Sequence, residues 1–344
     1  MTAPKRVLLR IAGVFSEHPG YPNVMHRLAD LRAAPEFDID AVTAPWPGRG
    51  PAHLSAGARS TLTFCLILWW RHVCVALRWM TRPRAQAIYL PYPALITAWW
   101  LSWLPKRAKP PIIIDAFISW HDTVVHDRQL LAPRSVLARL LWFIEARAYR
   151  GASLILVDTD QNAALLADRF GLPTQRVRAL GLAIDEAQFI PTPYIGNDNV
   201  VNVLFIGTFV PLQGVETIAA AIRELCAKPG LRFEVIGDGQ MSDAFERTLG
   251  DDALQRIIWA REWQSSAALF DAINRADICL GIFGTGDKAD RVWPFKNYLY
   301  MRVGRALITG DTTEANQLGS VLASPCFITV PRADAKSLAN AILA

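Results

Sequence analysis

Charge is scarce in this chain. Only 19% of its 344 residues are Asp, Glu, Lys or Arg, while 52% are apolar. Such a composition excludes a charge-swollen disordered polymer and supplies core for about two domains at ~150 residues each. Long uninterrupted hydrophobic runs are also missing. The two most apolar segments, TLTFCLILWWRHVCVALRWMTRPRAQ and YPALITAWWLSWLPKRAKPP, are broken by Arg71, His72, Arg78, Arg82 and Arg84 or closed by Lys106, Arg107 and Lys109. Neither offers the ~20 continuous apolar residues of a spanning helix. The five cysteines (Cys65, Cys74, Cys226, Cys279, Cys326) form no C-x-x-C pair and no metal-type spacing with His. They read as scattered core thiols of a reducing compartment. There is no internal repeat and no low-complexity stretch. No G-x-G-x-x-G is present, nor an acidic residue closing the second strand at a useful spacing, which leaves dinucleotide binding a poor fit. The start, KRVLLRIAGVF, has a short apolar run broken by Arg10 and no small-residue cleavage site, so it reads as a first strand rather than a signal peptide.

What is present is a slight excess of positive charge, net +5, with an isoelectric point of about 9.0. Nucleic acid, phosphate-bearing metabolites and anionic lipid all qualify as partners. Nucleic acid fits least, because the cations sit among Trp-rich apolar helices rather than interleaved with aromatics on a strand face.

Short apolar runs alternate with helical stretches throughout, the pattern of parallel, doubly wound sheets. In the first half the expected strands are Val7–Ala12, Phe37–Val42, Ala87–Tyr89, Ile112–Asp115 and Leu154–Val157, with a helix over Pro22–Ala33. FIPTPYIGNDNV lacks periodicity and reads as a linker. A second strand series follows: Asn202–Ile206, Arg232–Ile236, Arg256–Trp259, Ile278–Gly281, Ala306–Ile308 and Phe327–Val330. The expected organisation is α/β, with two Rossmann-like domains, 1–187 and 200–344, joined by 188–199. A ligand cleft would lie between them, facing the strand carboxyl ends.

The most informative stretch is VLFIGTFVPLQGVETIAAAIRELCAKPGLRFEVIGDGQ, residues 203–240, a strand, Gly-rich turn, helix and strand. Gly207, Gly214 and Gly237 fall at strand ends or turns, where glycine lets backbone approach a ligand and a helix N-terminus attracts phosphate. As a pattern alone it reads equally as a plain βαβ crossover. Downstream, ADICLGIFGTGDKADRVWPFKNYLYMRVGRALITGD ends a strand near Gly284 and places Lys288, Arg291 and Lys296 around the start of a helix, Phe295–Val303, opened by Pro294 and stopped by Gly304. Three cations there suit a diphosphate; as a solvated cluster they need no ligand.

Asp122, with His121 beside it, lies just past the Ile112–Asp115 strand. It fits either a carboxylate at the sheet mouth or a local cap. Asp158 and Asp160 form a D-x-D that opens a helix after a buried strand and reads as capping. The Trp-rich segments carry two readings. Trp69, Trp70, Trp99 and Trp100 beside Lys and Arg suit a helix lying on an anionic membrane surface, or they are core.

GTFVPLQGVETI, IGDGQ, RADICLGIFG and KADRVWPFKNYLY, with Gly304 and LITGD, resemble the donor-binding domain of family-4 glycosyltransferases of the GT-B fold. DAFISWHDT and SLILVDTDQN resemble acceptor-domain segments of one subgroup, which has an Asp at the Asp122 position. The resemblance spans most of the chain in matching order. It implies sugar transfer from a nucleotide diphosphate sugar with retention at the anomeric carbon, no obligatory metal and no other cofactor. It also implies a lipid-linked or glycan acceptor, whose pocket the loop 13–23 would help shape. The Trp-rich segments would then hold a cytoplasmic enzyme peripherally at the inner face of the cell membrane.

Two departures are specific. Thr208 and Gln213 stand where the family has Arg and Lys in the first turn, and Arg291 and Leu299 stand where it has two glutamates. The diphosphate charge is therefore expected to fall to Lys288, Arg291 and Lys296. A catalytically weak homologue acting as a binding or scaffolding subunit is the alternative, and a nucleotide-sugar epimerase, which needs carboxylates for proton abstraction, a more distant one.

Overall fold

The computed structural model describes residues 6–15, 22–47, 58–105, 107, 109–193 and 200–344. Residues 16–21 of the loop 13–23, Lys106, and residues 194–199 of the linker lie outside these. The chain divides into two compact units, Met1–Ala183 and Ile184–Ala344.

The first unit runs β1 (Val7–Phe15), α1 (Pro22–Ala33), β2 (Phe37–Pro45), α2 (Ala58–Met80), β3 (Ala87–Leu90), α3 (Leu95–Ser102), β4 (Ile112–Phe117), α4 (Val136–Gly151), β5 (Leu154–Val157), α5 (Asp160–Phe170) and β6 (Val177–Ala179). All strands pair in parallel, in the order β2-β1-β3-β4-β5-β6. Alternation along β1 sorts the helices. Leu9, Ile11 and Phe15 pack with Val24 and Leu28 of α1. Val14 meets Val75 of α2, and Ala12 joins the cluster of α3, α4 and α5. The helices α2 to α5 therefore share one face of the sheet and α1 takes the other.

Arg10, which breaks the apolar run of β1, is buried. It pairs with Asp40 at 2.7 Å, donates to the Pro83 carbonyl at 2.5 Å and lies over the Trp79 ring at 4.7 Å. Pairing plus stacking is what makes a buried guanidinium tolerable.

The second unit runs β7 (Val201–Ile206), α6 (Val215–Leu225), β8 (Leu231–Ile236), α7 (Ser242–Leu249), α8 (Asp251–Leu254), β9 (Ile258–Ala260), α9 (Ser266–Arg275), β10 (Ile278–Leu280), α10 (Asp287–Arg291), α11 (Phe295–Val303), β11 (Ala306–Gly310), α12 (Thr313–Leu322), β12 (Phe327–Val330) and α13 (Ala335–Leu343). Its parallel order is β12-β11-β10-β7-β8-β9. Phe205, Phe209, Phe245 and Trp259 form an aromatic core, with Phe209 stacked on Trp259 at 5.7 Å.

Three features differ from the sequence reading. The strand β6 is only Val-Arg-Ala, too short and polar to stand out by periodicity. The strand expected at Arg256–Trp259 sits two residues later at its start. Of the expected linker, Phe189 is buried against Phe270, and Thr192 receives a hydrogen bond from Arg305 at 2.9 Å. The prolines around them disguise a segment that is docked on the second unit.

Candidate functional site

In the second unit, the turns that follow β7, β8 and β10 interlock at the carboxyl edge of the sheet. Gly237 has φ +125, and a Cβ on it would overlap the Gly207 carbonyl oxygen. Gly214 has φ +61, and its Cβ would overlap the Phe283 carbonyl carbon. A Cβ on Gly284 would stand 2.5 Å from the Leu212 oxygen. The Phe283 and Gly284 amides donate to Gln213 and Leu212 at 3.0 and 3.2 Å. Only glycine permits this approach of backbone to backbone. Gly214 also precedes α6, whose N-terminus has no side-chain cap, so its first N–H groups are available to an anion.

Thr208 is exposed at the tip of the β7 turn, while Gln213 is buried, with its Oε1 packed against Gly207 and no hydrogen-bond partner among the described residues. Phe209, between them, has φ +44, a left-handed conformation that a bulky side chain rarely adopts.

The three cations are placed differently from one another. Lys288 is buried in the short helix α10. Arg291, one turn later, is half-buried and donates from Nε to the Asp287 carbonyl at 3.1 Å. Between them, Asp290 accepts from the Thr313 hydroxyl at 2.7 Å and faces Arg332 at 3.4 Å, which ties α10 to the start of α12. Burial opposes its ionisation, but the Thr313 bonds, Arg332 and Arg291 more than offset this and hold its carboxyl below the usual range.

Lys296 is the unexpected one. Its Nζ is buried 3.8 Å from the centre of the Phe205 ring and has no hydrogen-bond partner among the described residues. Burial lowers its pKa well below the ordinary lysine value, with only Cys279 opposing. Next to it, Asn297 is fully buried, and neither amide atom has a hydrogen-bond partner among the described residues. Buried polar groups without partners are rare in stable folds and call for an explanation.

In the first unit the carboxyl edge is formed by the β4 loop. Phe117 has φ +56, beside a register shift between Asp115 and Phe117. The following residues hang on Glu145 of α4, which accepts from Ser119 Oγ at 2.9 Å, the Trp120 and His121 amides at 2.6 and 3.1 Å, and Tyr149 at 3.0 Å. Burial nevertheless outweighs these four donors and raises the Glu145 pKa.

Asp122, held from Ser119 through its amide at 3.1 Å, is buried and accepts from Arg169 of α5 at 3.1 Å. It is the first residue of a π-type turn, Asp122–Asp127, rather than its cap. His121 has a buried Nδ1 without a hydrogen-bond partner among the described residues, and its ring lies 5.4 Å from His126. Burial, then His126 and Arg169, lower its pKa against the opposing pull of Asp122.

The D-x-D needs a correction. The cap of α5 is Thr159, whose hydroxyl accepts from the Asn162 amide, while Asp158 accepts from the Asn162 side chain at 2.7 Å. Threonine competes well for that position because its hydroxyl reaches the same N–H.

The four tryptophans separate. Trp69 and Trp70 are 59% and 58% exposed on α2, whereas Trp99 packs on the core and Trp100 lies edge-on to the buried His72. Among the described residues no helix is long and apolar enough to cross a membrane.

No family model matches the sequence, and no curated protein matches it. Solved structures do. Sucrose-phosphate synthase from Thermosynechococcus elongatus superposes with a TM-score of 0.69 at 15% identity, covering 98% of this chain and 89% of that one. Anabaena HepE in complex with UDP and glucose gives 0.59 at 13%, covering 98% and 89%. The lipopolysaccharide outer core galactosyltransferase WaaB gives 0.55 at 15%, covering 88% and 81%. With its two parallel six-stranded sheets, the chain has the GT-B fold, two Rossmann-like domains.

Proposed function

We propose that the protein is a glycosyltransferase that moves a sugar from a nucleotide diphosphate sugar to a lipid-linked or glycan acceptor, with retention at the anomeric carbon, in polysaccharide or glycolipid assembly. The observation that carries this reading is the interlocked set of glycine turns around Gly207, Gly214, Gly237 and Gly284, beside Lys288, Arg291 and Lys296. Backbone N–H groups and cations fixed in this way stabilise a leaving diphosphate at little reorganisation cost. Asp122 is the residue assigned to accept the acceptor's proton or fix a donor hydroxyl, with His121, whose pKa burial lowers, beside it. Two GT-B neighbours support the reading by what they are: HepE was solved with UDP and glucose, and WaaB is a galactosyltransferase of the lipopolysaccharide outer core.

The exposed pair Trp69 and Trp70 supports contact with an anionic membrane surface, and the proposal includes a peripheral position at the inner face of the cell membrane, beside a lipid-linked acceptor. The replacement of carboxylates by Arg291 and Leu299 favours one rival, a homologue that binds without transferring.

Lys296 allows a test in which function and stability move oppositely. In the proposed complex an anionic diphosphate supplies the partner that its Nζ lacks. Lys296→Met should therefore raise stability by about 1–3 kcal/mol by removing an unpartnered buried polar group, yet weaken nucleotide binding. Between the lowered folded pKa of Lys296 and its unfolded value of about 10.4 the unfolded state binds more protons, so this lysine makes stability rise with pH, and the methionine variant should flatten that slope. Arg291→Ala should abolish nucleotide binding in calorimetry. Unchanged affinity in both variants would remove these side chains from the site.

A further inference from the structure

The helix α4 carries a stripe that the sequence reading passes over. Val136, Leu137, Leu140 and Phe143 recur at helical spacing and point outward, at 79%, 60%, 50% and 45% exposure. The inward face of the same helix is already complete, with Ala138, Glu145, Ala146, Ala148 and Tyr149 buried. A globular helix ordinarily keeps its outward positions polar, so four adjacent exposed apolar side chains mark a surface meant to be covered.

This stripe is not alone. The helices α2, α3 and α4 lie on one face of the first sheet. His72 of α2 meets Trp100 of α3, and Arg147 of α4 lies 4.2 Å over the ring of Trp103, just past α3. On α2 an outward row, Leu66, Trp69, Trp70, Leu77 and Met80, is exposed as well, and Trp103, just past α3, is 56% exposed. By contrast, the outward residues of the neighbouring α5 include Asp160 and Asp168.

The charge around these stripes selects the occupant. Between Asp40 and Asp115 the sequence has no acidic residue, and six basic side chains are described there: Arg71, Arg78, Arg82, Arg84, Arg107 and Lys109. Around α4 stand Arg128, Arg134, Arg139, Arg147 and Arg150, while its single acid, Glu145, faces the core. Apolar rows flanked by cations of one sign match an anionic lipid interface, where the apolar side chains enter the acyl boundary and the guanidiniums meet the headgroups. A protein partner would need a matching acidic rim around an equally broad apolar face.

We infer that α4 is a second membrane-docking element, which lays its Val136–Phe143 stripe on an anionic bilayer alongside the outward row of α2. The inference extends the membrane contact assigned above to Trp69 and Trp70, and adds a helix that this contact does not require. Docking through two separated stripes fixes the orientation of the unit on the membrane, where a single stripe leaves it free to roll.

The test uses the full chain and flotation with vesicles of equal parts phosphatidylcholine and phosphatidylglycerol, against phosphatidylcholine alone. The wild-type protein should float with the anionic vesicles. The double variant Leu137→Ser, Leu140→Ser should lose at least about tenfold in partitioning, with an unchanged melting temperature, and so should Trp69→Ser, Trp70→Ser. If the α4 variant floats as well as wild type while the α2 variant does not, the role of α4 is wrong and the α2 contact stands. If wild type does not float at all, both fail. If light scattering shows a dimer that the α4 variant alone dissolves, the stripe is covered by a second copy and the inference is overturned.

Discussion

Asp122→Asn is expected to lower the transfer rate by about 10²- to 10⁴-fold while leaving nucleotide affinity within about twofold. Asparagine keeps an oxygen able to accept from Arg169 Nη1, which stands 3.1 Å from Asp122 Oδ1. It therefore preserves the loop and removes only the charge and the basicity. Asp122→Ala would be the poorer choice, because stripping one partner from a largely buried ion pair destabilises by about 3–5 kcal/mol and confuses folding with chemistry. The loop itself is anchored independently through Glu145 and Ser119, so the asparagine variant should keep its fold and lose only the ion-pair part of the Arg169 contact, about 1 kcal/mol with Arg169 partly exposed. Single-turnover transfer of a labelled sugar, with calorimetry for binding, separates the two quantities. Wild-type rates in this variant would reduce Asp122 to a structural partner of Arg169.

Gly237→Ala should be the most damaging single methyl in the second unit. The backbone there has φ +125, outside the conformations open to an L side chain, and the new Cβ would fall on the Gly207 carbonyl oxygen. Strain of this kind costs about 1–3 kcal/mol before the clash is counted, and relief requires the Gly207 turn to move. A fall of roughly 5–10 °C in melting temperature follows, at about 2–4 °C per kcal/mol. Nucleotide binding should vanish with it, since the turn that moves is the one proposed to cradle the diphosphate. Gly286→Ala is the control. Gly286 has φ −66, and a Cβ there meets nothing within 4 Å, so the variant should lose no more than about 1 kcal/mol, the cost of alanine at the start of α10, and should keep nucleotide binding. Equal behaviour of the two variants would contradict the close approach assigned to Gly237.

Much of the architecture was legible because parallel strands buried on both faces are written as short apolar runs. Leu154–Val157 and Phe327–Val330 were marked by this signal at both ends, and Phe295–Val303 was bracketed by Pro294 and Gly304. The glycines of the second unit's turns were equally plain, since their spacing after strand ends is local. What stayed hidden is long-range. Glu145 looks like an ordinary polar residue of an amphipathic helix, and nothing local tells that four donors converge on it. The left-handed conformations of Phe117 and Phe209 have no sequence signature, because glycine or asparagine is the expected occupant. Lys296 reads as one of three cations around a helix start, suited to a diphosphate or simply solvated; its burial against Phe205 depends on the packing of α11 on β7, which periodicity does not reach. The tryptophans were treated as one set, although Trp69 and Trp70 face outward and Trp99 packs inward.

The central claim is that this chain, lacking carboxylates at Arg291 and Leu299, still transfers sugar. A thermal-shift screen over UDP-, GDP-, ADP- and dTDP-sugars selects the donor, and the deciding measurement is turnover of that donor in radiolabelled form with a lipid-linked glycan acceptor. Label should appear in the lipid-linked product, with the anomeric configuration of the donor kept. A donor that binds and is neither transferred nor hydrolysed would contradict it and leave a binding subunit in its place.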